Sequence, residues 1–373
     1  MKVVLSGYYG FDNVGDEAIL YSIIQALRDK EPGIEITVLS NNPPFTEKTY
    51  NVKAVDRWSV LAVCKAIIAS DGLISGGGSL LQDETKLRSI PYYSGVIQFA
   101  NLIRKPVFIY AQGIGPLHHP FSRAVVKKVL RKTEITVRDQ ASKKLLERIG
   151  VQNPIKIVPD PVLGLKLAEQ ISTWWEKQAF TGPVVTVSVR DWPSSADYKH
   201  KMAEALDTIA QEGKQIVFVP MHGKHDEKAS KETAEKMKEK SYIAPYDASI
   251  EEKIAIIGKS DLLVGMRLHA LIFSSITYTP FIAVSYDPKI EAFAEIAGQP
   301  VAGHVMDDEG WSGSSLSQAI RAALQNKGSE SAHLKETIGC LQREASHTAQ
   351  KAIQYFVKEV RGNKIGEGSL KKR

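Results

Sequence analysis

Residues 262–289 read LLVGMRLHALIFSSITYTPFIAVSYDPK, and this stretch decides the fold class. DLLVGM, from Asp261, and FIAVSYD, from Phe281, are short, apolar and rich in strand formers, and the residues between them are predicted to be helical. A strand, a covering helix and a second strand in that order form the unit from which parallel sheets are built. The window DLLVGMRLHALIFSS, from Asp261, is the most apolar in the chain, yet Arg267 and His269 stand at its centre. No run of sequence approaches the roughly 18 uninterrupted apolar residues that a bilayer span requires.

The same rhythm extends in both directions. Towards the N-terminus the strand candidates are KVVLSG at Lys2, IEITVLS at Ile34, GLISGG at Gly72, PVFIYAQG at Pro106, EITVRD at Glu134 and IKIVPD at Ile155. PVVTVSVR at Pro183 and QIVFVPMHG at Gln215 continue the series. Runs apolar on both faces belong in sheets covered on both sides. A helical stretch ending in a Gly-Pro break, LKLAEQISTWWEKQAFTGP from Leu165, separates the halves. From His333, Leu334, Ile338, Leu341, Ala345, Ala349, Ala352, Phe356 and Val360 recur at helical spacing and predict one long amphipathic helix. The predicted organisation is an N-terminal α/β domain over 1–165 on the acceptor side and a linker helix over 166–182. A C-terminal α/β domain over 183–330 on the donor side, an amphipathic helix over 331–361 and a basic tail over 362–373 complete it. Two Rossmann-like domains with a terminal helix resemble the glycosyltransferase-B arrangement, whose ligands lie at the C-terminal ends of strands.

Composition narrows the function classes. The 373 residues are 43% hydrophobic and 24% charged, which excludes a mainly disordered chain. The net charge of +6 suits anionic ligands but is low for a nucleic-acid binder, and no nucleic-acid partner is expected. From Lys358 onward six basic and two acidic residues carry most of the surplus, as a solvated end or as a weak attraction to a phospholipid surface. The opening MKVVLSGYYG is too short for a signal-peptide core, so a cytoplasmic protein is expected. Cys64 and Cys340 fall in helical windows without nearby metal-ligand spacing and are expected as buried thiols.

The loop GYYGFDNVGDEAIL places Gly10 and Gly15 at P-loop spacing, but Asp16 and Glu17 occupy the positions where Lys and Ser or Thr are needed. Acidic groups suit a helix N-terminus and repel phosphate from it. Asp12, Asn13 and Asp16 instead offer acceptors for neutral hydroxyls such as those of a sugar; Asp16 equally suits helix capping. SGGGSLLQD, with Gly77 and Gly78, and AQGIGPL supply glycine turns where backbone can approach a ligand. Arg138 and Arg190 end buried strands, each either paired with a carboxylate or available to an anion. Arg267, His269 and Lys289 lie at adjacent strand ends, where a fixed cation and a titratable imidazole can hold an anion and move a proton. MHGKHDE brings His222, His225 and Asp226 together, but it lacks the zinc-enzyme pattern, and Asp226 suits the start of the next helix.

GYYGFDNVGDEAIL, SGGGSLLQD, QGIGPL, VRD, PDPV, SVR, MRLHALIF and YDPK occur in the order found in polysaccharide pyruvyl transferases. Over roughly residues 1–300 the chain resembles the bacterial cell-wall members of the CsaB type, with MRLHA and GDEAIL as the specific segments. The resemblance implies transfer of pyruvate from phosphoenolpyruvate to a sugar as a ketal, with release of phosphate. The implied acceptor is N-acetylmannosamine of a lipid-linked disaccharide, in making the secondary cell-wall polymer that anchors surface-layer proteins. Such an acceptor implies peripheral contact with the inner face of the plasma membrane. For that reaction His269 is the expected acid, Arg138, Arg267 and Lys289 hold phosphoenolpyruvate, and Asp16 acts on an acceptor hydroxyl beside Asp12, Asn13, Gly77 and Gly78. No metal or cofactor is expected, because three fixed cations suffice for the donor. The competing readings are a nucleotide-sugar glycosyltransferase and a noncatalytic sugar-binding protein.

Overall fold

A computed structural model of the chain describes residues 1–84, 89–167 and 171–370, with side chains as far as Val360. The chain divides into two compact units. The first comprises Met1–Asp12, Asp16–Lys166 and Gln342–Arg373; the second comprises Asn13–Gly15 and Leu167–Leu341.

In the first unit strands and helices alternate from the start: β1 (Lys2–Ser6), α1 (Val14–Lys30), β2 (Glu35–Ser40), α2 (Pro43–Tyr50), β3 (Lys53–Asp56), α3 (Val60–Ala69) and β4 (Gly72–Ser75). Then follow β5 (Gly78–Leu81), α4 (Ser89–Leu102), β6 (Val107–Ile114), α5 (Pro120–Leu130), β7 (Thr133–Val137), α6 (Gln140–Arg148) and β8 (Ile155–Ile157). The sheet order is β3-β2-β1-β4-β6-β7-β8, with β5 pairing to β6. β4 and β6 are buried along their whole length, the outcome for apolar runs covered by helices on both faces.

The second unit repeats the plan. It contains α7 (Thr173–Gln178), β9 (Val184–Ser188), α8 (Tyr198–Gln211), β10 (Gln215–Phe218), α9 (Gly223–Ala234), β11 (Ser241–Ile243) and α10 (Ile250–Lys259). β12 (Leu262–Gly265), α11 (Leu268–Ile276), β13 (Phe281–Ser285), α12 (Pro288–Ala297), β14 (Val301–His304) and α13 (Gly313–Gln325) follow. Its sheet runs β11-β10-β9-β12-β13-β14. Among the described residues every strand pairing in both sheets is parallel.

Side-chain caps start many of the helices: Ser59, Asp139, Ser249 and Asp287 accept from backbone N–H groups of α3, α6, α10 and α12, and Ser312 forms a capping box on α13.

The final helix, α14 (Lys327–Leu370), supplies residues to both units. Leu334 and Ile338 are buried in the second unit, and Ala345, Ala349, Ala352 and Phe356 in the first. Phe356 lies so close to Gly72 that a β-carbon there would stand 2.5 Å from its ring. Of the expected 166–182 helix, residues 168–170 lie outside the described residues, and only Thr173–Gln178 is helical in the remainder. The basic tail has no described side chains. The cysteines depart from expectation: Cys64 is half-buried and Cys340 exposed, because Cys340 falls beside the apolar stripe of α14 rather than on it. The glycine run also differs, since Gly78 opens the short strand β5 instead of lying in a loop.

Candidate active site

Ligands of open parallel sheets lie beyond the carboxyl ends of the strands, where the strand order reverses. In the first unit that point falls between β1 and β4, in the second between β9 and β12. The residues that follow these four strands include most of those singled out from the sequence.

In the first unit, the turn after β4 is built around Tyr9. Its ring is fully buried and fills the space that a β-carbon would need at both Gly7 and Gly76. Burial, with the Asp16 carboxylate next, raises the Tyr9 phenol well above its usual range. Gly78 has φ +84, and a β-carbon there would stand 2.8 Å from Oδ1 of Asp16. Asp16 lies in the first turn of α1, so its helix-terminal position and its place beside the glycine turn hold together. Asp12 is exposed with φ 57, while Asn13, which accepts the Gly15 N–H at 3.1 Å, belongs with Gly15 to the second unit rather than to the expected N-terminal domain.

One residue beyond Gly78, Ser79 accepts from Nη2 of Arg138 at 3.1 Å. Arg138 follows β7; its side chain is 10% exposed, with Nη1 3.5 Å from Asp160 and Nε 3.7 Å from Asp139. Both carboxylates also serve the backbone, Asp160 at Val162 and Asp139 at Ser142. The first unit therefore gathers Asp16, Gly77, Gly78 and Arg138 around β5. Behind this turn Glu17 is buried and accepts from the Gly10 N–H at 2.6 Å and the Tyr50 hydroxyl at 2.7 Å. Burial raises its carboxyl above the usual range.

In the second unit Arg267 follows β12 and occupies the N-cap of α11. Its Nε donates to Oδ2 of Asp226 at 2.8 Å and its Nη2 donates to Oδ1, a forked pair with Asp226 only 1% exposed. Asp226 accepts the Met221 N–H as well, at 3.2 Å. The Asp226 carboxylate is thus committed to Arg267 and the backbone, and among the described residues no group of three metal-ligating side chains occurs. His269 sits half-buried in the first turn of α11, and Gly15 packs so closely on its ring that a β-carbon there would collide with Nδ1. His222 lies at the N-cap of α9. Burial holds its imidazole below the usual range, with the Arg267 charge adding and Asp226 opposing. Lys253 is wholly buried in α10 and donates to the carbonyls of Pro220 at 2.6 Å and Tyr246 at 2.8 Å, pinning the turns after β10 and β11. Burial lowers its ammonium to about 8.

Lys289 begins α12 and pairs with Asp287 at 2.9 Å. Its ammonium stands 5.5 Å from the ring centre of Tyr286. Arg190, after β9, lies 4.4 Å from the same ring and 5.0 Å from that of Trp192, and among the described residues it has no carboxylate partner at ion-pair distance. Of the two alternatives for Arg190, the guanidinium meets aromatic faces rather than a carboxylate, and the anion reading stays open. The pairing of Asp226 with Arg267, the role of Lys253 and the Trp192–Tyr286 pair escaped sequence reasoning. A buried-looking Arg267 signalled that some carboxylate must meet it, but nothing local named one 41 residues away.

The polysaccharide pyruvyl transferase family model matches residues 13–288. The amylovoran biosynthesis protein AmsJ of Erwinia amylovora is 21% identical, over 80% of this chain and 87% of its own. Among solved structures, HepE of Anabaena, in complex with UDP-glucose, superposes with a TM-score of 0.63 at 12% identity, covering 96% of this chain and all of its own. The UDP-N-acetylglucosamine 2-epimerase of Neisseria meningitidis gives 0.61 at 11% identity, over 96% and 100%. The ADP-heptose lipopolysaccharide heptosyltransferase II of Escherichia coli gives 0.55 at 13%, over 88% and 100%. At these identities the likeness establishes the fold, that of glycosyltransferase-B proteins.

Proposed function

The chain belongs to the polysaccharide pyruvyl transferase family, and from that membership we propose that it moves pyruvate from phosphoenolpyruvate onto a sugar as a 4,6-ketal, releasing phosphate. The acceptor we assign is N-acetylmannosamine of a lipid-linked disaccharide, in secondary cell-wall polymer synthesis and surface-layer protein anchoring. The observation that carries the reading is the second unit's strand-end cluster, in which Asp226 fixes the Arg267 guanidinium two residues before His269.

The reaction needs a proton on the methylene carbon of the enol phosphate. His269 delivers it, leaving an oxocarbenium-like carbon that one sugar hydroxyl attacks through oxygen. Loss of phosphate with its bridging oxygen opens the same carbon to the second hydroxyl, which closes the ring. Of the two hydroxyl protons, one replaces the proton spent by His269 and the other leaves with phosphate. Arg267, Lys289 and Arg138 hold the carboxylate and phosphate and offset the charge that develops on departure. Asp16 orients or deprotonates an acceptor hydroxyl, and Asp12, Asn13, Gly77 and Gly78 contact the sugar. Donors fixed before the reaction starts are worth more than flexible ones, which is the use of the Asp226 fork.

The test is incubation with phosphoenolpyruvate and a synthetic lipid-linked disaccharide, with mass analysis of the product. A gain equal to a pyruvate ketal, with one phosphate released per transfer, is expected. Stabilisation against heat by a nucleotide sugar and not by phosphoenolpyruvate would overturn the reading in favour of a glycosyltransferase.

A further inference from the structure

We propose that the exposed face of Trp58 is a further carbohydrate subsite of the first unit, one that takes a neutral pyranose next to the sugar that receives pyruvate. The inference rests on the assignment of the first unit to the sugar substrate and extends it along the same sheet edge. β1 pairs in parallel with β2, and β2 with β3, so the segments that follow these strands leave from one edge. Tyr8, Phe11 and Asp12 follow β1, Asn41 and Asn42 follow β2, and Arg57 and Trp58 follow β3. Neighbouring strands lie about 4.8 Å apart, so β3 stands roughly 10 Å from β1. One pyranose ring does not span that distance, and two linked rings do.

The indole is held in place although it is 60% exposed. Its Nε1 donates to Asn41 Oδ1 at 2.9 Å, and the Trp58 backbone N–H donates to Asp56 Oδ1 at 2.9 Å. The Arg57 guanidinium lies over the ring at 5.1 Å from its centre, and the Tyr92 ring stands 5.5 Å away. A ring fixed on one side, with its single donor already bonded, presents an apolar face that needs no ordering before a ligand arrives. The first loop shares these supports. Arg57 is also 5.1 Å from the ring of Phe11, which stacks on Tyr8 at 4.0 Å, and the Asn41 amide donates to the Gly10 carbonyl at 3.3 Å.

The polar groups around the ring select the occupant. Arg57, only 4% exposed, donates to the Gly7 carbonyl at 2.8 Å and the Tyr93 hydroxyl at 3.2 Å, so its charge is not presented to a ligand. Asp56 and Asp12 are exposed, and their carboxylates accept from hydroxyls and repel anions. Asn42, exposed beside them, uses Oδ1 for the Phe45 N–H at 3.4 Å and keeps its amide N–H groups as donors. A wholly apolar partner would strip water from both carboxylates and supply no donor in return. A neutral sugar meets every term: its C–H face covers the indole, and its hydroxyls reach the carboxylates and the amide.

The experiment uses the full chain without phosphoenolpyruvate and measures, by saturation-transfer NMR titration, binding of two probes: N-acetylmannosamine and the disaccharide of the proposed substrate freed of lipid and diphosphate. The wild type should bind the disaccharide more tightly. Trp58→Ala should weaken the disaccharide about tenfold and leave the monosaccharide unchanged, because one stacked ring is lost. Trp58→Phe, which keeps an aromatic face, should recover part of the loss. Phe121→Ala, at a 73% exposed position on α5 of the same unit, should change neither affinity. Circular dichroism and melting equal to those of the wild type would show that the variants are folded. With no donor present, the outcome is separate from the pyruvyl transfer reading: intact disaccharide binding without phosphate release from phosphoenolpyruvate would fail that reading alone. Three results would overturn the subsite: a wild type with no preference for the disaccharide, unchanged disaccharide affinity in Trp58→Ala, or equal loss of both sugars in that variant.

Discussion

The two strand-end regions are built alike and differ in the side chains they carry. Each lies beyond a parallel sheet at the point where strand order reverses, and in each a buried ionisable group holds loop backbone. In the first unit that group is an acid, Glu17, accepting from an N–H of Gly10. In the second it is a base, Lys253, donating to carbonyls of Pro220 and Tyr246. The first unit carries Asp16, its glycines and Arg138 there, and the second carries Arg267, His269, Lys289 and Arg190. One architecture thus presents different side chains at its two strand-end regions, and the proposed division into acceptor and donor sides rests on which side chains end the strands.

The largest expected effect tests the cationic region. His269→Ala should lower turnover with phosphoenolpyruvate and acceptor by about 10²- to 10⁴-fold, with little change in donor affinity, because a general acid contributes mainly to the transition state. Near-normal turnover would remove His269 from the acid role. Asp226→Asn leaves a mostly buried Arg267 without its counter-charge, and denaturant unfolding should show a loss on the order of 3 kcal/mol. Donor affinity should weaken with it; unchanged affinity would separate Arg267 from the anion.

On the other side, Gly78→Ala forces a side chain onto φ +84 and against Asp16, costing about 1–2 kcal/mol. The acceptor KM should rise in this variant while the donor KM stays, and the opposite pattern would break the division of roles. The smallest effect is a contrast in pH dependence. The Glu17 carboxyl is raised above its ordinary 4.5, so its contribution to stability is full below that value and is lost as pH rises through the folded value. The Lys253 ammonium is lowered from 10.5 to about 8, so its contribution is present above 10.5 and is lost as pH falls towards 8. Melting temperatures of Glu17→Gln and Lys253→Met against pH should each lose one of these slopes and keep the other.

Much of the architecture was legible before any coordinates. The buried strands β1, β4, β6, β9, β12 and β13 are continuous apolar runs, and the stripe on α14 repeats at helical spacing. β3, β11 and β14 were not read as strands, because they lie at sheet edges with half-exposed residues and no apolar run. β5 was hidden by its glycine, which weakens any strand signal.

What the residue order determined by itself was therefore the local chemistry: two series of α/β units, the MRLHA segment that sets Arg267 and His269 on one helix start, and glycines where φ is positive. Only the tertiary structure decided which distant groups meet: Asp226 with Arg267, Gly78 with Asp16, Lys253 with the turns after β10 and β11, and Arg190 with Trp192 and Tyr286. The reason is physical. Periodicity and capping act over a few residues and leave a trace in neighbouring positions, whereas a buried charge is satisfied by whichever group the packing of sheets and helices brings within about 3 Å.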